Sequence, residues 1–481
     1  MVQVRPILFV LGLLLCMLAA SMLLPAVVDI ADRVPHWRAF LGASVATFFV
    51  GGLLLFVTYT DKPVRLGLKE GFLLTTLVWV VMTAFAALPF VGVGMTYTDA
   101  YFEAMSGLTT TGSTVMTGLD KLPRGILLWR ALLQFAGGLG IIVMAIIILP
   151  FLRVGGMQLF QMESSDRSEK VVPRAVQLVS ATAAVYFGLN IACAVLYVGF
   201  GMSAFDAICH AMATLSTGGF STHDDSFKYF KSPSLEWIAI VFMLAGALPF
   251  VVFIKAFRGQ PLALWRDPQV RGLVLFLLLA SLGMALWLLS TRSIGFGEAF
   301  RAALFNITSV VTTTGFASDD YTKWGALAVG AFFILTFLGG CAGSTSGGIK
   351  VYRFQLASLI TRSHVLHLMS PNRVVTLSYN GRRVPDDVPF SVVAFLAAYM
   401  ASVGVFTVAL AAMGLDLVTA VSSSATALSN VGPGLGNVVG PAGTFTTMPA
   451  AAKWVLAFAM MLGRLELFTV LVLLRPEFWR R

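Results

Sequence analysis

Thr109-Thr110-Thr111-Gly112 and Thr312-Thr313-Thr314-Gly315 spell one polar word, TTTG, in two distant parts of the chain. Related words stand at Ser216-Thr217-Gly218-Gly219 (STGG) and Ser429-Asn430-Val431-Gly432 (SNVG). Each closes a stretch of one kind: YTDAYFEAMSGLTTTGST (97–114), MSAFDAICHAMATLSTGGFS (202–221), GFGEAFRAALFNITSVVTTTGFAS (295–318) and GLDLVTAVSSSATALSNVGPGLG (414–436). An acidic residue stands near the start of each (Asp99, Asp206, Glu298, Asp416), where a carboxylate accepts the free N–H groups of a helix N-terminus and meets its dipole. Each stretch is therefore expected to begin as a short helix and end in a polar word. Four such copies mean a repeat architecture.

The surroundings of these words are apolar. The 481 residues are 58% hydrophobic and only 12% charged, with a mean hydropathy of +0.86; soluble domains carry about 25% charged residues. Apolar runs of the roughly 20 residues needed to cross a bilayer lie near 7–28, 39–59, 71–94, 126–150, 176–200, 234–254, 272–290, 325–341, 389–413 and 451–474. The first is too long for a secretory h-region and a second follows at once, so it reads as a retained helix. The net charge of +10 needs no nucleic acid to explain it. With a cytoplasmic N-terminus, most Lys and Arg fall in inner segments: Arg5; Lys62, Arg65, Lys69; Arg153, Arg167, Lys170, Arg174; Lys255, Arg258, Arg266, Arg271; Lys350, Arg353, Arg362, Arg373, Arg382, Arg383; Arg475, Arg480 and Arg481. That bias sets orientation and leaves the four word-bearing stretches on the outer side.

Non-helical backbone at membrane depth survives only where it is buried in protein or lines a water-filled cavity. An extended Thr or Ser run turns carbonyl oxygens to one side, and a terminal glycine takes a conformation denied to other residues. Four such segments around one axis make a ring of oxygens that replaces the water shell of a cation. A lone TTTG is a polar turn and threonine clusters also serve as helix–helix glue, but glue does not end on glycine after a half-length helix four times.

The sequence resembles the Trk/Ktr/HKT superfamily of potassium transporters, most closely the bacterial TrkH type with two additional N-terminal helices. The resemblance covers nearly the whole chain and rests on the four words, on LLWRALLQFAGGLGIIVMAIIILP (127–150), on GGCAGSTSGGIKVYRF (339–354) and on GRLELF (463–468). It implies an all-α integral membrane fold: four span–half-helix–filter–span repeats forming one potassium-channel-like pore, preceded by two transmembrane helices. It further implies a homodimer and a cytosolic, nucleotide-binding regulatory ring of the TrkA kind. Potassium would be the substrate, held at the filter carbonyls, with no covalently bound cofactor. Glycine in all four words looks like the potassium-preferring pattern, and the departure of SNVG from TTTG suggests looser selectivity than a four-fold identical filter. The expected units are 1–60 (extension), 61–152, 153–258, 259–372 and 373–481 (repeats one to four).

Two further features bear on conduction. GGCAGSTSGG (339–348) places Gly339, Gly340, Gly343, Gly347 and Gly348 about halfway along the second span of the third repeat. Glycine costs about 1 kcal/mol relative to alanine in a helix, and Ser344, Thr345 and Ser346 offer competing local hydrogen bonds. An unwound loop beneath the filter, acting as a gate, is expected; a small-residue packing face is the alternative. The spacing to Lys350 fails the P-loop pattern, so no nucleotide site is expected there. Arg464 stands in the middle of the last apolar span, where arginine is costly and faces a cavity or a partner. It reads from the residues as a pore charge or a structural ion pair, and the resemblance favours the pore. Glu466, two residues on, is not its obvious partner. Arg130 and Lys453 are expected to snorkel, Cys16, Cys193, Cys209 and Cys341 to pack, and His364 and His367 to be solvated. No paired carboxylates, HExxH motif or nucleophile–base pair suggests an enzyme. A cation-coupled secondary potassium/sodium transporter working by alternating access is the competing reading.

Overall fold

The computed structural model describes residues 3–60, 67–147, 171–373 and 375–480. The expected inner-face residues Lys62, Arg65, Arg153, Arg167, Lys170 and Arg481 lie outside the described residues. Among those described, the fold is helical apart from a two-residue hairpin, Ser378–Tyr379 against Arg382–Arg383, and one isolated bridge between Leu338 and Ile349.

The chain opens with α1 (Val4–Ser21), α2 (Leu23–Ala31) and α3 (Trp37–Thr58). The helices α1 and α3 cross where two glycines face each other: a Cβ on Gly12 would lie 2.9 Å from the Gly51 carbonyl, and one on Gly51 3.0 Å from that of Gly12. Small residues at a crossing let backbones approach, which is how membrane helices gain packing energy.

The four word-bearing units follow. The first contains α4 (Leu68–Ala86), α5 (Leu88–Gly92), the half-helix α6 (Tyr97–Leu108) and α7 (Arg124–Ile147). The second has α8 (Val171–Gly199), the half-helix α9 (Ala204–Leu215) and a bent pair, α10 (Pro233–Ala247) and α11 (Phe250–Phe257). The third has α12 (Pro268–Thr291), the half-helix α13 (Phe296–Val311), α14 (Ala326–Leu335) and α15 (Val351–Met369). The fourth has α16 (Asp387–Ala412), the half-helix α17 (Leu417–Ser429) and a second bent pair, α18 (Ala450–Arg464) and α19 (Phe468–Leu471).

Seven helices among the described residues are long and apolar enough to cross a membrane, or up to nine if each bent pair is one span. Three of the ten expected spans are therefore not simple helices. Span 234–254 bends by 100° at Leu248-Pro249, because proline has no N–H to continue the ladder. The freed carbonyls are taken from elsewhere: Ala247 O accepts from Cys341 N and Gly246 O from the Thr345 hydroxyl. Span 451–474 turns by 105° through Glu466 and Leu467, both at positive φ. Span 325–341 stops as a helix at Leu335 and gives way to the expected loop.

The half-helices are the most deeply buried elements, with every residue from Ala100 to Leu108 and from Ala211 to Leu215 inside. In three units the second helix lays a glycine on a carbonyl in the last turn of its half-helix. A Cβ would lie 1.9 Å from Leu108 O at Gly137, 2.9 Å from Leu215 O at Gly246 and 1.9 Å from Leu428 O at Gly463. The four cysteines are free thiols, three of them buried, and His364 and His367 are exposed on α15.

Candidate functional site

The half-helices start as their sequences dictate. Thr96 caps α6, its hydroxyl accepting from Asp99 N at 3.2 Å and donating to the Asp99 carboxylate at 2.9 Å. Ser203 and Asp206 repeat that reciprocal arrangement on α9. Asp416 is itself the cap of α17, accepting from Thr419 N, while Glu298 lies in the first turn of α13 behind Gly295.

All four half-helices end in one way. The second residue of each word is left-handed, with φ of 51° at Thr110, 51° at Thr217, 58° at Thr313 and 55° at Asn430. Its N–H bonds back to Gly107, Thr214, Val310 and Ala427 respectively, and the N–H of the third residue reaches Ser106, Ala213, Ser309 and Thr426. This double closure is the Schellman motif, which satisfies the orphan carbonyls of a helix C-terminus. The expectation of an extended run is thereby corrected: the helix end must be closed, and closure forces the second position into the left-handed region. That conformation is costly for β-branched threonine and easier for asparagine, so strain is concentrated in the three threonine-containing words.

The word-ending glycines also have positive φ: 87° at Gly112, 76° at Gly219, 84° at Gly315 and 105° at Gly432. Their surroundings put the words in a cycle. A Cβ on Gly112 would lie 2.3 Å from Gly218 O, on Gly219 1.9 Å from Thr314 O, on Gly315 2.1 Å from Val431 O, and on Gly432 2.7 Å from Thr111 O. Each glycine thus abuts the third carbonyl of the next word, and the fourth returns to the first. Thr109, Thr110, Thr111, Ser216, Thr217, Thr312, Thr313, Thr314, Ser429 and Asn430 are fully buried.

The loop 339–348 lies against these words. The Thr345 hydroxyl donates to Leu215 O and Gly246 O, both at 2.9 Å. The Ser346 hydroxyl donates to Thr312 O at 2.7 Å, and Gly347 N donates to the Thr313 hydroxyl at 2.6 Å. Ser344 bonds Cys341 O. The loop is unwound, as expected, and also packs through small residues, since a Cβ on Gly347 would meet Ser429 O at 2.4 Å and one on Gly339 the Gly347 carbonyl at 2.1 Å. The two expectations for this segment are thus not exclusive.

Arg464 is buried at the C-terminal end of α18 and donates from one terminal nitrogen to Thr345 O at 2.8 Å. Its Nε and other terminal nitrogen have no hydrogen-bond partner among the described residues. Glu466 pairs with Arg353 instead, whose guanidinium lies 3.7 Å over the Phe395 ring. Lys350 donates to Ser346 O. Arg464, Lys350, Arg353 and Glu466 line one cavity with Ser346 and Gly347.

Two lysine and arginine assignments are corrected. Arg130 does not snorkel: it is buried, with its Nε 2.8 Å from Glu103 and a terminal nitrogen 2.8 Å from Ser221 O, and it lies over Phe220. Lys453 is buried too, 2.6 Å from Asp99. Snorkelling needs a lipid-facing helix, whereas both side chains face the carboxylate-bearing half-helix α6. The missed partner, Glu103, was legible as an ionisable residue inside a half-helix, a position that normally demands a counter-charge.

Comparison with known proteins shows what the chain as a whole is similar to. A family model described as TrkH, cation transport protein, matches residues 36–481. The chain is 47% identical over 479 residues to the Trk system potassium uptake protein TrkI of Halomonas elongata, covering 99% of this chain and 97% of that protein. It is 38% identical over 484 residues to the Trk system potassium uptake protein TrkH of Escherichia coli K12, covering 99% of each. The crystal structure of the potassium transporter TrkH from Vibrio parahaemolyticus matches with a TM-score of 0.92 at 38% identity, over 99% of this chain and 100% of that one.

Proposed function

The chain belongs to the TrkH family of cation transport proteins, and from that premise we propose how its four words carry out potassium uptake. It is a multi-span membrane transporter of the Trk kind and not an enzyme. Potassium is its substrate.

The four words 109–112, 216–219, 312–315 and 429–432 form the selectivity filter. The observation that carries this reading is the closed cycle in which each word's glycine meets the next word's third carbonyl. Carbonyl oxygens at that junction replace the ion's hydration shell, and glycine is required because a side chain would occupy the place where two words touch. The C-terminal ends of α6, α9, α13 and α17 point their partial negative charge to the same place. Below them, loop 339–348 is the gate and Arg464 a pore charge that shortens cation residence. We keep 1–60, 61–152, 153–258, 259–372 and 373–481 as the functional units.

The protein works as a homodimer in the bacterial cytoplasmic membrane with both termini cytoplasmic. The exposed basic side chains Lys255, Arg258, Arg266 and Arg271 support an inner face that meets a TrkA-like nucleotide-binding ring. Potassium flux into proteoliposomes, with sodium and rubidium in competition, tests the filter. Potassium-selective flux is expected, with sodium permeation raised relative to potassium in Gly112→Ser, and equal flux of all three ions in the unaltered protein would sink the reading. Single-channel currents separate a gated pore from alternating access, which passes ions only at turnover rates.

A further inference from the structure

The four words are not fastened alike. In the first and third, the hydroxyl of the first threonine meets that of the third: Thr109 to Thr111 at 2.7 Å and Thr312 to Thr314 at 2.8 Å. In the fourth, the Asn430 amide donates to Thr111 and to Met460 O, both at 2.9 Å. The second word has no such clip, because its third position is Gly218.

What stands there instead comes from another unit. Gln134, wholly buried on α7, donates from Nε2 to Gly218 O at 2.6 Å and accepts at Oε1 from Phe220 N at 3.1 Å. The amide orientation is fixed by these two backbone groups, since the reverse would set oxygen against oxygen and N–H against N–H. A Cβ on Gly218 would lie 2.4 Å from Gln134 Cδ, so the glycine and the glutamine occupy each other's space. One turn before Gln134, Arg130 holds Ser221 O. One turn after, Gly138 admits Ser216, since a Cβ there would lie 2.8 Å from the Ser216 Cβ. Residues four apart share a helix face, so one face of α7 braces the second word at Ser216 and Gly218 and the residues just after it at Phe220 and Ser221.

We infer that Gln134 is a positioning residue of the filter: its amide replaces the missing threonine clip of the second word and thereby sets cation preference. This rests on the reading of the four words as the filter. Gly218 O, the oxygen that Gln134 holds, is the one that abuts Gly112, and so it sits at the junction of the first and second words. Freed from the amide, that carbonyl shifts, and a ring with one displaced oxygen loses discrimination between ions of different radius.

The test measures potassium, rubidium and sodium flux in proteoliposomes for Gln134→Ala, Gln134→Leu, Gly218→Thr and the double variant Gln134→Ala/Gly218→Thr, each confirmed monodisperse, with Gly112→Ser alongside. Gln134→Ala and Gln134→Leu are expected to lower potassium-over-sodium preference about fivefold, the scale of one neutral hydrogen bond, with little loss of maximal flux. Gly218→Thr alone collides with Gln134 and is expected to do worse. The double variant is expected to recover most of the preference, because the introduced threonine can clip to the Ser216 hydroxyl as Thr111 does to Thr109. Preference unchanged in both Gln134 variants while Gly112→Ser shifts it overturns the inference and leaves the filter standing. A double variant no more selective than Gln134→Ala overturns the stand-in role. No shift even with Gly112→Ser removes the filter reading, and this inference with it.

Discussion

The four words and the loop at 339–348 are made largely of the same residue types, glycine, serine and threonine, and both are mostly buried, yet they are held by different partners. Each word is closed by hydrogen bonds to its own half-helix five and three residues back. The loop is tied to others: to Leu215 and Gly246 of the second unit, to Thr312 and Thr313 across its own unit, and to Arg464 of the fourth. A helix end closed on itself keeps its turn when its neighbours move, with Gln134 and Asn430 adding ties from other units to two of the words. Structure whose bonds are borrowed from neighbours changes when they move, which is what a two-state element requires.

The comparison breaks most visibly at the glycines. The clearances left for a Cβ run from 1.9 Å at Gly219 through 2.1 Å at Gly315 and 2.3 Å at Gly112 to 2.7 Å at Gly432. Substitution by alanine adds a left-handed penalty of about 1–2 kcal/mol at each, so the differences between the four report the collision alone. Gly219→Ala is expected to lose potassium preference by at least about tenfold, and Gly432→Ala the least. Flux competition on the four purified variants checks the order; a reversed ranking would mean that the words do not meet as the cycle describes.

For the loop the expected change is in closure rather than preference. Removing Ala342 to Ser346 takes away the Thr345 and Ser346 hydroxyls and the Thr345 carbonyl, and with them the ties to the second, third and fourth units, and the variant is expected to leak and to respond less to the proposed cytosolic regulator. Selectivity should persist, because the words close without the loop. Residual flux in the closed state, measured with and without the regulator, checks this. A folded deletion variant that still shuts would remove the loop from gating.

Arg464→Ala sharpens the boundary between the two regions. The side chain gives one hydrogen bond to the loop, and its remaining nitrogens have none among the described residues, while Glu466 is already satisfied by Arg353. Its loss therefore leaves no carboxylate stranded, the circumstance in which breaking a buried pair costs about 3–5 kcal/mol. The variant is expected to fold and to raise flux through an open form several-fold, read as ion flux on the deletion background. Collapse of the protein in gel filtration would instead give Arg464 a structural role.

Much of this was legible in the sequence, and the residues show where legibility ended. Asp99, Asp206 and Asp416 announced helix starts because capping acts within one turn. The unwound 339–348 followed from its glycines and from the competing side chains of Ser344, Thr345 and Ser346. The left-handed second positions were not foreseen, since nothing local marks Thr110 or Thr313 as strained; the strain comes from closing a helix whose end is buried. Arg130 and Lys453 were misplaced for a related reason. A cation near a helix end reads as snorkelling until its counter-charge is located, and Glu103 and Asp99 are brought to them by packing between elements far apart in the chain. The bend at Pro249 falls inside an expected unbroken span although the proline marks it, whereas nothing marks the one at Glu466, as neither proline nor glycine occupies that turn.

The smallest expected effect lies at the rim beside the starts of the half-helices, where the loops after the first and second words are linked by charge. His223 Nδ1 is 2.5 Å from Asp120 and its Nε2 3.6 Å from Asp206, with the ring stacked 3.5 Å from that of Tyr229. Burial alone would lower His223, but the nearby Asp206 carboxylate and the hydrogen bond that the ring makes to Asp120, with the charges of both, outweigh it, and its pKa rises above the ordinary 6.5. The hydrogen bond from His223 holds the Asp120 carboxyl below its ordinary 3.8. A raised histidine contributes stability that is complete below 6.5 and is lost as pH climbs through the raised value. The depressed carboxylate contributes above 3.8 and loses that as pH falls through its own lower value. The rim is therefore tightest between those limits and loosens on the alkaline side. Because Asp120 is 44% exposed, solvent screens much of the pair, and the effect should be a shallow decline in thermal stability between about pH 6.5 and more alkaline pH, with potassium preference altered less than twofold, far less than at any word. His223→Gln should abolish that slope while leaving the ranking of the glycine variants untouched, since the words do not depend on the rim for closure. An undiminished slope in His223→Gln would place the titrating group elsewhere, and a changed glycine ranking would show that the words are less self-contained than their own hydrogen bonds make them.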